Sequence, residues 1–136
     1  MYHPLGDKAT DSEVRAYYQK QHDRAETTMR EIWALRGWTI RWEWHNGVCD
    51  DCEFLFDETG KQMCPYHDAI PQTHSIGRYI EKHRLNVTFT KKSVKLTNKQ
   101  DPNPVEGKAD TLRQAYLNWL LALEKQKAEE KTCAAT

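Results

Sequence analysis

The sequence predicts an α+β domain, with helices covering one face of an antiparallel sheet and a short hairpin inserted into it. Three stretches carry that expectation. Trp38-Thr39-Ile40-Arg41-Trp42-Glu43-Trp44 alternates with the period of a strand, placing Trp38, Ile40, Trp42 and Trp44 on one face. Leu112, Ala115, Tyr116, Trp119, Leu120 and Leu123 recur with helical period and make one apolar stripe. Between them, Cys49-Asp50-Asp51-Cys52 is answered by Cys64-Pro65-Tyr66-His67, two short-spaced pairs of metal-binding residue types. Helices packed on one antiparallel sheet bury both kinds of stripe.

A chain of 136 residues is expected to fold as one domain. Its expected divisions are a loose lead over 1–9, the domain over 10–124 with the hairpin module at 45–70, and a charged, frayed tail over 125–136. Thr10-x-x-Glu13 has the form of a capping box, and Gly37 that of a helix stop. A long helix over Asp11 to Arg36 is expected between them, with a possible break in its polar middle, Lys20 to Arg24. Its Tyr17 and Tyr18 are expected in the core.

After the tryptophan strand, His45-Asn46-Gly47 turns the chain into the module. Phe54-Leu55-Phe56 reads as a short strand, Asp57 to Lys61 as its turn and Gln62-Met63 as the return. Ser75 opens a second helix with Ile76, Tyr79 and Ile80 inward. Leu85, Val87 and Phe89, then Val94 and Leu96, alternate as a hairpin turning at Lys91-Lys92. Asn98 to Gly107, with Pro102 and Pro104, reads as a loop, and Asp110 or Thr111 caps the last helix. The expected core is Trp33, Trp38, Ile40, Trp42, Phe89, Leu112, Tyr116, Trp119 and Leu120.

Cys49, Cys52, Cys64 and His67 give the spacing C-x2-C-x11-C-x2-H. Zinc takes four such ligands tetrahedrally, and a site filled by four protein groups leaves no position for catalysis. The expectation is one structural Zn2+ per chain, replacing the core that so small a module cannot build. His45 and His74 lie near enough in sequence to take the place of His67. A redox reading of Cys49 and Cys52 is disfavoured, because Asp50, Asp51 and Glu53 would oppose a thiolate.

Lys plus Arg equals Asp plus Glu at 20 each, so no global field draws the chain to nucleic acid or membrane. The charges are segregated, however. Residues 49–68 hold six acids against Lys61, a local balance of −5, and residues 72–100 hold seven bases against Glu81, a balance of +6. No apolar run reaches bilayer length and the N-terminus does not read as a signal peptide. Cysteines committed to metal suit a reducing cytoplasm. Cys133-Ala134-Ala135-Thr136 is a poor prenylation box and reads as tail.

The stretch from Ser75 to Leu123 resembles the small phage and prophage proteins described as αβα-sandwich proteins. The likeness rests on a short helix at Ser75-Ile76-Gly77-Arg78-Tyr79-Ile80, a hairpin with Val87-Thr88-Phe89, and a loop into Ala109-Asp110-Thr111-Leu112-Arg113-Gln114-Ala115-Tyr116. Met29 to Trp42 is similar to the opening helix and strand of that group, and the cysteine module departs from it. The resemblance implies a phage accessory factor acting on a host component in the host cytoplasm.

No phosphate-binding glycine loop, H-E-x-x-H or G-x-S-x-G occurs, and His45-Asn46-Gly47 lacks the Glu of a zinc deaminase. The expected function is a non-enzymatic, zinc-stabilised protein that binds and modulates, or inhibits, a host protein or protein–nucleic-acid complex. The candidate binding surface is Trp44, Arg78, Lys82, Arg84, Lys91, Lys92 and Lys95. The same basic residues support a nucleic-acid binder as the alternative. His45, His74 and Asp68 leave a metal-dependent nuclease or hydrolase as the third reading.

Overall fold

The structure, a computed structural model, describes residues 6–45, 49–65 and 69–134, and side chains within them except at 42–45, 49–52, 64–65 and 131–134. Helix α1 runs Asp11–Arg36 without a break. Thr10 Oγ1 accepts from the Glu13 main-chain N–H at 3.2 Å, and Glu13 Oε1 accepts from that of Thr10 at 3.5 Å. These bonds satisfy two of the N–H groups that a helix start leaves open. Gly37 ends the helix at φ 78, in the left-handed region where glycine alone carries no steric penalty. Only the second half of α1 enters the core, through Ala25, Met29, Ile32 and Trp33. Tyr17 is half-buried and Tyr18 is 43% exposed, so the core placement expected for Tyr18 is corrected.

The strands form two sheets and not the single sheet expected. β1 (Thr39–His45), β2 (Cys49–Phe56) and β3 (Gln62–Pro65) make an antiparallel meander, and β4 (Asn86–Phe89), β5 (Val94–Thr97) and β6 (Glu106–Ala109) make a second. The cysteine hairpin is thus no separate insertion. Its strand β2 pairs along β1 from Thr39 opposite Phe56 to Glu43 opposite Cys52. Nor does it lack a core, because Leu55 is 1% exposed and joins the main cluster, while Phe54 and Phe56 are also buried.

A 3-10 turn at Thr73–Ser75 leads into α2 (Ile76–His83), whose Ser75 makes no side-chain capping bond. Helix α3 (Leu112–Ala134) starts at Thr111, whose hydroxyl accepts from the Gln114 N–H at 3.2 Å. It packs on α1 and lies over β5 and β6. The core at this junction holds Trp33, Leu96, Leu117 and Trp119.

Three further expectations are corrected. Phe89 is 69% exposed, because α3 lies over β5 and β6 and β4 is the far edge of that sheet. Part of the expected loop is strand β6. α3 continues past Glu124 through the expected tail, since Lys125, Gln126, Lys127 and Ala128 are good helix formers as well as a charged run. Trp33, Tyr116, Trp119 and Leu120 are core as expected, with Trp38, Ile40 and Leu112 packed at its margin. The Trp42 side chain lies outside those described.

Candidate functional site

The β2–β3 pairing begins at a self-organised turn. Asp57 Oδ1 accepts from the Thr59 N–H at 2.9 Å, the Thr59 hydroxyl at 2.6 Å and the Lys61 N–H at 2.9 Å, while Gly60 takes φ 88. The Thr59 hydroxyl bond chiefly, with the main-chain bond from Lys61, holds the Asp57 carboxyl below its ordinary range. From that turn β3 runs from Gln62 opposite Phe56 to Pro65 opposite Phe54, toward the Cys52 end of β2. Cys64 stands opposite Leu55, Cys52 opposite Glu43 and Cys49 opposite His45. Three steps of β2, Cys49 to Cys52, face two steps of β1, Glu43 to His45, a bulge that departs from strict strand alternation at the first cysteine pair.

The backbone carries Cys49, Cys52 and Cys64 on adjacent strands of one meander, with Cys64 opposite Leu55 and so three residues along β2 from Cys52. The side chains of these cysteines lie outside those described, and His67 lies outside the described residues, as do Asn46, Gly47 and Asp68. Among the described residues no three His, Cys, Asp or Glu side chains gather around a metal-sized gap. His74, one of the two substitutes considered, is exposed on the turn before α2.

The basic residues are divided between α2 and the two ends of β4. Arg78 and Lys82 are exposed on α2, and Arg84 caps it at φ 53. Lys91 and Lys92 sit at the opposite end of β4, in a turn closed by Thr90 N–H to Ser93 O at 2.9 Å and Ser93 N–H to Thr90 Oγ1 at 3.1 Å. At about 3.3 Å per strand residue, Arg84 and Lys91 stand roughly 20 Å apart. Lys95 is half-buried, with Nζ 3.9 Å from Glu106 on β6. The Trp44 side chain lies outside those described.

Sequence reasoning missed a cleft of ≈ 830 Å³ between the end of α1, Trp38, Glu58 and the second half of α3. Arg36 Nε and Nη2 each reach Glu124 Oε1 at 2.9 Å, and the guanidinium lies 4.9 Å from the Trp38 ring centroid. Trp38 Nε1 donates to Glu58 at 2.8 Å. Below lies an adjoining space of ≈ 420 Å³ that reaches Tyr79, His83 and Tyr116. Tyr79 stacks on Tyr116 at 5.3 Å, and His83 stands 5.2 Å from the Trp119 ring. Burial pushes the Tyr116 hydroxyl up to about 12, with Tyr79 adding to it, so it is a protonated donor at neutral pH. Burial also lowers His83, with Lys82 and Lys127 adding to it. The one sequence signal for the cleft was Glu124 at the end of the apolar stripe, a carboxylate on a buried face that needs a partner.

Among the described residues no helix is long and apolar enough to cross a membrane. No family model, no curated protein and no solved structure matches the chain, so its function is read from the residues themselves.

Proposed function

We propose that this chain is a non-enzymatic, zinc-stabilised module that docks a partner protein along the open edge of β4. The observation that carries this reading is Phe89, 69% exposed at the end of an edge strand. An edge strand offers a row of unpaired N–H and C=O groups to an added strand. A large exposed aromatic is the residue type that anchors protein interfaces. Lys91 and Lys92, in the turn that follows, would orient an acidic partner and speed its approach.

A phosphate backbone is the poorer match, because the bases stand at two ends of the hairpin and Lys95 is paired with Glu106. Cys49, Cys52, Cys64 and His67 would hold the zinc, which would add folding free energy and leave no position open for chemistry. The resemblance to phage αβα-sandwich proteins supports a component of a bacterial host complex as the partner, its activity modulated by the docking.

The test is capture from nuclease-treated bacterial lysate by immobilised chain and by its Phe89→Ser variant. The reading expects a protein retained by the parent and lost by the variant. Capture that nuclease abolishes and added duplex DNA restores would put nucleic-acid binding in its place. Six phosphate contacts would then give a slope of about −5 in log affinity against log salt.

A further inference from the structure

The space of ≈ 420 Å³ beneath the Arg36–Glu124 pair falls in the size range of small-molecule pockets, about 300–1,000 Å³. Trp33 and Leu120, both buried, line it together with Trp38, Tyr79 and Tyr116. Tyr116 is 3% exposed, and its ring stacks on Tyr79 at 5.3 Å and on Trp119 at 5.9 Å. Among the described residues its hydroxyl makes no hydrogen bond. The side-chain polar atoms there that are shut away from water without a partner are Arg24 Nε, Arg113 Nη2 and Gln114 Oε1. The Tyr116 hydroxyl is not one of them, so it opens on the cavity that its ring lines. Arg36 and Tyr79, which line the same cavity, lie close enough to act on its pKa in opposite directions. A buried, protonated donor thus faces this space with no acceptor among the described residues.

The charges around the cavity are unbalanced. Among the described residues Arg36, Lys82 and Lys127 line it against the carboxylate of Glu124, an excess of two positive charges. Glu124 Oε1 already accepts from Arg36 Nε and Nη2, with Lys127 Nζ 3.9 Å away, and Lys82 has no carboxylate partner among the described residues. His83, against the Tyr116 and Trp119 rings, registers the excess: burial lowers its pKa first, and Lys82 and Lys127 lower it further. Glu58 and Glu130 line the wider cleft alongside, so an anion is drawn to the inner cavity and not to that one. An apolar wall, one buried donor and a positive rim are the parts that a small anion with an apolar body requires.

We propose that this cavity binds the anion of a small apolar carboxylic acid, its carboxylate accepting from the Tyr116 hydroxyl in the field of Lys82 and Lys127 and its apolar body resting on Trp33 and Leu120. A free arylalkanoic acid and the C-terminal residue of a peptide both present these groups. Tyr116 and Glu124 stand two turns apart on one face of α3, about 12 Å along its axis, so a ligand carboxylate at Tyr116 is remote from that of Glu124. A phosphate ester is the poorer occupant. Phosphate favours a guanidinium fork, and Arg36 already turns Nε and Nη2 to Glu124. None of the described residues lining the cavity is on β4, so failure of this site would leave the docking reading intact.

The experiment is a titration of the full chain at low salt, where the lysine field is least screened, followed through the Trp38 indole N–H and the His83 ring resonances. The probes are phenylpropionate, phenylpropionamide and N-acetyl-phenylalanine, each to about 10 mM, enough to saturate a millimolar site. The expected result is saturable shifts with at least one of the two acids and at least about tenfold weaker binding of the amide. N-acetyl-phenylalanine bound at least as tightly as phenylpropionate identifies a peptide terminus as the source, and weaker binding identifies a free acid. Tyr116→Phe removes the hydroxyl and keeps the stacked ring, and should weaken the acid about tenfold or more, the scale of a hydrogen bond to a charged acceptor. Should that variant fail to fold, Lys82→Gln, at an exposed position, should weaken the acid severalfold and leave the amide unchanged. Acid and amide bound alike, no shift with any probe, or undiminished acid binding by a folded Tyr116→Phe overturns the proposal.

Discussion

Gly107 on β6 lies against the backbone of α3 at Trp119, so closely that a Cβ built on it would stand 2.6 Å from Trp119 Cα and nearer still to its nitrogen. The same atom would overlap the carbonyl of Ala115. The obstruction is main chain, which cannot rotate away, so the helix would have to lift from the sheet. Gly107→Ala is therefore expected to cost about 1–3 kcal/mol or more. It should appear as a lower denaturant midpoint at unchanged slope. A midpoint within error of the parent would mean that α3 does not rest on β6 at this point.

That contact also explains why β6 was not legible. Glu106-Gly107-Lys108-Ala109 has no β-branched residue, and its alternation turns only the small Gly107 and Ala109 inward, so its pairing depends on what lies beside it. Asn98 holds the preceding loop in place: its Oδ1 accepts from the Val105 N–H at 2.8 Å and from Trp119 Nε1 at 3.4 Å. By contrast α1 was legible to the residue, because Thr10, Glu13 and Gly37 act through local bonds alone. Phe89 misled because alternation reports the face of a strand and not whether a helix covers it. The hairpin of Cys49, Cys52 and Cys64 was legible as a hairpin, while its continuity with β1 depended on long-range pairing.

Arg36 and Glu124 tie the end of α1 to α3, and the pair should be worth measuring as a pair. Arg36→Ala would leave a carboxylate that is 8% exposed with Lys127 at 3.9 Å as its remaining partner. The expected loss is about 1.5–3 kcal/mol, the range for hydrogen bonds to charged groups. Adding Glu124→Gln should restore part of it, because the stranded charge is removed. A double-mutant cycle with no coupling would refute the pairing.

The pH dependence of stability should carry the mark of His83. Its folded pKa is lowered from 6.5 by burial first, then by Lys82 and Lys127. The unfolded chain therefore binds the proton more tightly than the folded one. The stability linked to this group is fully present above 6.5 and is lost as pH falls through the lower folded value. Urea midpoints followed downward from neutral pH should decline, and His83→Gln should flatten part of that decline. An unchanged profile in the variant would assign the slope to other groups.

The metal is the prediction with the largest consequence for stability. Purified chain should contain about one equivalent of zinc, as a closed four-ligand site does. Cys52→Ser should remove it and lower the thermal midpoint, with chelator reproducing the effect in the parent chain. Because Leu55 on the same strand is in the main core, the damage should extend beyond the hairpin to the packing around Trp33. His67→Ala gives the sharper result. Retained zinc would point to a substitute ligand, with His45, opposite Cys49 across β1 and β2, placed for the role and His74 exposed on the turn before α2. The double variant His45→Ala with His67→Ala should then lose the metal. A fully folded, metal-free parent chain would refute the site, leaving the meander to stand on its apolar packing through Ile40, Phe54, Leu55 and Phe56.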